Sequence, residues 1–179
     1  MAVDDWETLI ATGDRIGPRN ARVTVLLFSD YECPGCGMFA NTTFPAVRAK
    51  YPEDVALVYR HWPLAQHKFS YRAAQASECA AAQGRFEAFH DVLYADQQNI
   101  GLTPFHEFAE RAGIPDLDAF DACSSTSAPN HEIDQDVMAV KALGGTGTPT
   151  VVVNGMLLRT GITERVLDSV VAHALQIEG

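Results

Sequence analysis

"FSDYECPGCGMF", residues 28–39, sets Cys33 and Cys36 three positions apart, directly after an apolar run. That run, "RVTVLLFS" at 22–29, is rich in β-branched and aromatic residues without strict alternation. Such a pattern predicts a strand buried on both faces in the middle of an α/β sheet. Cysteines at i and i+3 on a helix N-terminus present both sulfurs on one face, close enough to bridge. Pro34 suits the first helical turn, where a missing N–H costs nothing, and Gly35 completes the dipeptide between the sulfurs. Free backbone N–H groups and the positive end of the helix dipole then point at Cys33, favouring thiolate over thiol below the ordinary pKa of about 8.5. A thiolate attacks a disulfide to form a mixed disulfide, which a second thiol resolves. Cys33 is therefore the candidate nucleophile and Cys36 the candidate resolving thiol. Asp30 and Glu32 precede them and are read as solvated carboxylates whose opposing charge the helix terminus outweighs.

Outward from this stretch, "GMFANTTFPAVRAKY" is compatible with a helix that Pro45 kinks or splits. "DVALVYRHWPL" reads as a second strand ended by Pro63, giving a βαβ unit with a right-handed crossover. From His67 to about Leu143 no strand-like run occurs. Ser70 is the expected N-cap of an Ala-rich helix stopped by Gly84, and Thr103 with Pro104 the expected start of another helix ended by Gly113. "RFEAFHDVLYAD", "IPDLDAFDAC" and "NHEIDQDVMAVKALGG" supply three more helices, with Phe86, Phe89 and His90 read as packing residues. His61 and Trp62 read as a half-buried strand end, and His67 as a local cap. "TPTVVVNGMLLRTG" predicts two strands turning at Asn154-Gly155, and "TERVLDSVVAHALQ" an amphipathic helix capped by Thr163. In "GGTGTPT", Pro149 stands directly before a strand, so the Thr148–Pro149 bond is either cis in a tight turn or a trans bond that merely starts the strand. The glycines lead into a strand and not a helix, which argues against a phosphate loop.

The composition is that of a globular domain, with 47% hydrophobic and 20% charged residues among 179. Thirteen basic against 23 acidic residues give a formal charge of −10, which argues against nucleic acid or an anionic membrane surface as partner. No apolar stretch approaches the roughly 20 residues of a membrane span. The opening "MAVDDWETLI" lacks the basic and apolar regions of a signal peptide, leaving a cytosolic chain or a mature exported form open. A zinc site would need two more ligands from Cys79, Cys123 or six scattered histidines, and no second compact ligand pair exists. Four cysteines suit two disulfides better than one zinc site, although Cys79 and Cys123 also fit as two buried free thiols.

Taken together, "FSDYECPGC", a helical insert containing "HKFSYRAAQASECAAAQGRFEAFHDVLY", "GTGTPTVVVNG" and a terminal helix resemble the DsbA-like branch of the thioredoxin superfamily, from about Ile16 onward. The resemblance implies an α/β thioredoxin fold, a mixed sheet flanked by helices, in residues 1–66 and 144–179, with 67–143 an inserted helical subdomain. It implies a thiol–disulfide oxidoreductase needing no cofactor and no metal, with Cys33 the exposed nucleophile and Cys36 its buried partner. Thr148 and Pro149 become the cis-proline loop that holds an extended substrate strand. Cys79 and Cys123 become a structural disulfide, which in the chain-entropy account stabilises by about 4 kcal/mol. Reduced or misfolded polypeptides and a re-oxidising or re-reducing protein are the implied partners, and a periplasmic or otherwise exported location the implied setting. Two features depart from the pattern: the dipeptide is Pro-Gly in place of Pro-His, and Leu27 stands where the superfamily often buries an acid. The alternatives are an isomerase or reductase using the same site, or a non-catalytic copper or zinc carrier binding through Cys33 and Cys36.

Overall fold

The computed structural model describes Val3, residues 6–158 and residues 161–177. Its centre is β2 (Val23–Ser29), whose seven residues are all buried. The strand β3 (Val55–His61) runs parallel to it on one side, and β4 (Thr150–Val153) antiparallel on the other. The short strands β1 (Asp14–Ile16) and β5 (Met156–Leu158) close the edges, in the order β1-β3-β2-β4-β5. Alternation along β2 sends Val25 and Leu27 into one core and Leu26 and Phe28 into the other. Burying each of these large side chains stabilises the sheet by roughly 1.5–3 kcal/mol. Packing on both faces is why the strand reads as a continuous apolar run.

Two elements have no counterpart in the sequence reading: helix α1 (Trp6–Ala11) and strand β1. Both are short, and β1 pairs antiparallel with β3 through Asp14, Arg15 and Ile16.

The expected helix after the cysteines comes in three pieces. Helix α2 (Pro34–Met38) passes into a π-helical turn (Phe39–Thr43) and then α3 (Phe44–Lys50). Pro45 falls in the first turn of α3. It offers no N–H to the preceding turn and its ring crowds that turn's carbonyl, and the wider π turn, in which Phe44 N–H reaches Phe39 O, relieves both.

Five helices lie between β3 and β4: α4 (Ser70–Ala81), α5 (Phe86–Ala95), α6 (Phe105–Arg111), α7 (Leu117–Ser124) and α8 (His131–Ala142). A 3-10 turn (Gln97–Asn99) follows α5. Phe86, Phe89, Phe108 and Phe120 share one core with Val25, Leu27 and Tyr59 of the sheet, so the insert packs directly on it. Two expected caps shift by one residue. Phe69 takes the cap position of α4, and Ser70, already helical, turns its hydroxyl back to the His67 carbonyl at 3.4 Å. Pro104 is extended (φ −57°, ψ 141°) and itself caps α6, leaving Thr103 outside. A disulfide joins Cys79 on α4 to Cys123 on α7, across 44 residues.

The hairpin turns at Asn154 (φ 40°) and Gly155 (φ 78°), positive angles that this residue pair adopts at little cost. Its second strand was expected to run on over Arg159 and Thr160, which lie outside the described residues. Helix α9 (Glu164–Ile177) starts at the Thr163 cap, whose hydroxyl accepts Val166 N–H at 3.4 Å.

Candidate active site

The end of β2 delivers Cys33 to the cap position of α2 in an extended conformation (φ −76°, ψ 121°). Its carbonyl accepts the first helical bonds, from Cys36 and Gly37 N–H at 3.0 Å each. Its sulfur is held by what surrounds it, and its pKa drops to about 5. The largest cause is a hydrogen bond from the Cys36 thiol; the Thr148 side chain and the backbone N–H groups of Cys36 and Gly35 add to it, and burial opposes. The helix terminus thus contributes, but the neighbouring thiol contributes more. Cys36, fully buried, is pushed far up by desolvation and by the adjacent Cys33 sulfur, and stays a thiol. The pair is thereby split into one thiolate and one proton donor. Both cysteines are reduced.

Opposite them, the Thr148–Pro149 bond is cis. The Cys33 Sγ lies 3.5 Å from the Thr148 carbonyl oxygen, which accepts from it in the thiol form. The Thr148 hydroxyl is buried without another partner, free to donate to the thiolate. A methyl group on Gly35 would come 3.3 Å from the Pro149 ring, so glycine lets the two loops close. A cavity of about 330 Å³, lined by residues 144–150 with Leu157, Leu158 and Ile162, runs along the proline loop.

Three sequence expectations need correction. Cys33 is not openly exposed: 8% of its surface is accessible, because the Thr148–Pro149 loop covers it. Asp30 is not solvated. It is buried, and its carboxylate accepts Glu32 N–H and Leu64 N–H and pairs with His67 Nδ1, at 2.7–2.8 Å. These partners absorb its charge, and His67 serves Asp30 in place of capping a helix. His61 is fully buried, with Nε2 2.8 Å from Glu78.

Two supporting residues escaped the sequence reading. Gln97, from the turn after α5, donates from Nε2 to the carbonyls of Tyr31 (2.7 Å) and Cys33 (2.8 Å), clamping the active loop from the insert. No local pattern marks such a residue. Ser29 stands two residues beyond Leu27 on the same strand face, and its hydroxyl, close to Cys36, opposes the rise of that thiol's pKa. It continues to Tyr94 OH (2.8 Å) and from there to Tyr59 OH (3.0 Å). A hydroxyl chain thus lies behind Cys36 where an acid is missing, and strand alternation was the signal that could have found it.

The family model described as Thioredoxin matches residues 10–172, and the chain belongs to that family. Its fold is that of the DsbA-like, thioredoxin-like oxidoreductases. Oxidised BdbD from Bacillus subtilis superposes with a TM-score of 0.83 at 21% identity, covering 93% of this chain and 95% of that one. A thioredoxin-like oxidoreductase from Silicibacter pomeroyi gives 0.75 at 26%, covering 96% and 98%, and Wolbachia pipientis alpha-DsbA1 gives 0.77 at 18%, covering 96% of each. Among curated sequences, a protein of Salinispora tropica named Na(+)/H(+) antiporter NhaA 3 is 40% identical over 142 residues, 78% of this chain but 21% of its own length. A Herminiimonas arsenicoxydans antiporter is 30% identical over 154 residues, 86% of this chain and 24% of its own length. The chain thus spans about a fifth to a quarter of these relatives. No helix among the described residues is long and apolar enough to cross a membrane.

Proposed function

We propose that the chain is a thiol–disulfide oxidoreductase of the DsbA type that introduces disulfides into polypeptides through Cys33 and Cys36. The observation that carries this reading is the split between the two sulfurs, a Cys33 thiolate favoured down to about pH 5 beside a Cys36 that keeps its proton. In the oxidised enzyme a substrate thiolate attacks Cys33 Sγ. The Cys33–Cys36 bond breaks, and Cys36 leaves and takes up a proton. A second substrate thiolate then attacks the substrate sulfur of the mixed disulfide, and Cys33 leaves as a thiolate. Two electrons pass from the substrate dithiol to the enzyme, and a partner protein must remove them. A low-pKa leaving thiol departs faster, and a stabilised reduced form makes the enzyme the oxidant. Thr148 and Pro149 would hold the client as an extended strand next to Cys33, with Pro34 and Gly35 shaping the approach. In this reading the catalytic surface belongs to residues 1–66 and 144–179, and 67–143 braces it through Gln97.

An oxidising, periplasm-like compartment is part of the same proposal. The Cys79–Cys123 disulfide suits one, and a structural neighbour from Salmonella enterica is described as periplasmic. The antiporter activity in the relatives' names is not carried over, because the match takes in only about a fifth of their length.

The test is oxidation of a reduced dithiol peptide under a glutathione buffer. The chain should accelerate it, the Cys33→Ser variant should not, and Cys36→Ala should accumulate a mixed disulfide at Cys33. Equal rates with and without Cys33 would end the proposal.

A further inference from the structure

When a thiolate attacks Cys33 of the oxidised protein, Cys36 is the sulfur that leaves, and it leaves into a dry interior. Cys36 has no exposed surface, and neither has Leu27, which stands where an acid was expected. A charge formed there is costly unless hydrogen bonds replace the missing water. The Asp30 carboxylate is buried too, but Glu32 N–H, Leu64 N–H and His67 already occupy it.

Hydroxyl groups gather on this side of the pair instead. Leu27 and Tyr59 are register partners on β2 and β3, so Tyr59 shares a sheet face with Leu27 and Ser29. Tyr94 enters from α5 and sets its hydroxyl 2.8 Å from Ser29 Oγ and 3.0 Å from Tyr59 OH. None of the three residues is more than 2% exposed. Their rings are fixed in place: Tyr31 stacks on Tyr59 with centroids 5.4 Å apart, and His90 meets Tyr94 edge-on at 4.9 Å. Burial pushes the Cys36 thiol up most, while the Ser29 hydroxyl and the Asp30 backbone N–H act against it.

A hydroxyl carries one hydrogen and two lone pairs, so Ser29 is able to accept from Tyr94 while it donates to sulfur. Either oxygen can donate in both bonds of the chain. The hydrogens therefore swing towards Cys36 as it gains charge, and no heavy atom has to move. Each donation polarises the next and strengthens it.

We propose that Ser29 is a catalytic residue that hydrogen-bonds the Cys36 sulfur while it leaves or attacks, with Tyr94 and Tyr59 as positioning residues behind it. The inference rests on the exchange chemistry proposed above. The attacking sulfur bonds to Cys33, the Cys33–Cys36 bond breaks, and its electron pair stays on Cys36. Cys36 then takes a proton from the solvent pool, to which the attacking thiol had released one. The hydroxyls hold the charge between these events and give up no proton. They act on the barrier, because the end states are an uncharged disulfide and an uncharged Cys36 thiol.

Reduction of the Cys33–Cys36 disulfide by dithiothreitol reads Cys36 leaving. Reduced protein mixed with oxidised glutathione reads Cys36 attacking, through decay of the acid-quenched Cys33–glutathione adduct measured by mass. Ser29→Ala should slow both by about tenfold or more, the scale of one hydrogen bond to a charged group. Tyr94→Phe should slow both less, and Tyr59→Phe least. The redox equilibrium with glutathione and the Cys33 titration should stay as in the wild type. Tyr94→Phe keeps its ring and tests the chain should Ser29→Ala not fold. Unchanged rates in Ser29→Ala and Tyr94→Phe would overturn the proposal. So would slowing in one direction only, with a shifted redox equilibrium, which would mean that the hydroxyls merely hold the resting structure. Wild-type protein that exchanges with dithiothreitol yet oxidises no peptide would end the oxidase reading alone, since both rates read Cys36 whatever the natural substrate.

Discussion

Cys33 Sγ stands 3.5 Å from the carbonyl oxygen of Thr148, a contact closed across 115 residues of chain. It joins the two motifs that flank the helical insert, and it sets the chemistry of the sulfur from both sides: Cys36 and the helix terminus below, Thr148 above.

If the Cys36 thiol is the largest stabiliser of the Cys33 thiolate, its loss must show in the titration of Cys33. Cys36→Ala should raise the Cys33 pKa from about 5 towards the ordinary cysteine value. Thr148→Val, which keeps the shape and removes the hydroxyl, should raise it by about one unit, the scale of one hydrogen bond to a charged group. Thiolate absorbance against pH reads both. A larger effect from Thr148→Val than from Cys36→Ala would reverse the order of causes.

The same shift makes the reduced protein's stability depend on pH. Cys33 has a lowered pKa when folded, so its contribution is complete above the unfolded value of about 8.5 and is lost as pH falls through about 5. Cys36 is raised, so above about 8.5 it ionises only in the unfolded chain and stability declines again. Melting temperature of the reduced form minus that of the Cys33–Cys36 oxidised form should therefore rise from pH 4 to pH 8. Discounted for solvent screening at the sulfur, the gain is on the order of 2 kcal/mol, or about 4–8 °C for a chain of this size. A flat difference would contradict the shift.

Gln97 acts on Cys33 only through the backbone, holding two carbonyls with one amide nitrogen. Gln97→Leu should destabilise the fold by about 1–3 kcal/mol and slow thiol exchange. Gly37→Ala should do the same, since a methyl there collides with the Gln97 carboxamide. Chemical denaturation and peptide oxidation of the two variants check this, and wild-type behaviour in both would remove Gln97 from the site.

Replacing Cys79 and Cys123 by alanine opens a loop of 44 residues. Urea unfolding should show a loss of about 4 kcal/mol or somewhat less, with the Cys33 titration unmoved. A changed Cys33 pKa would mean that the bridge positions the site as well as stapling the insert.

Much of this was legible in the chain. The buried strand at Val23–Ser29, the cysteine pair at the head of α2 and the Asn154-Gly155 turn follow from local patterns that tertiary packing reinforces. What stayed hidden depended on contacts distant in sequence. Asp30 looks like a surface carboxylate until Leu64 and His67 close over it. Strand β1 is three residues long and exists because β3 offers it an edge. The caps moved by one residue because Phe69 and Pro104, poor capping residues by type, were placed by packing and by a fixed φ.

The central claim is that one sulfur of the pair is held ionised while the other keeps its proton. Alkylation of the reduced protein by iodoacetamide, followed from pH 3 to pH 10 with the modified residue identified by mass spectrometry, tests it directly. Modification should fall on Cys33 alone, with a rate midpoint near pH 5. A midpoint near the ordinary cysteine value of about 8.5, or equal labelling of Cys36, would contradict it.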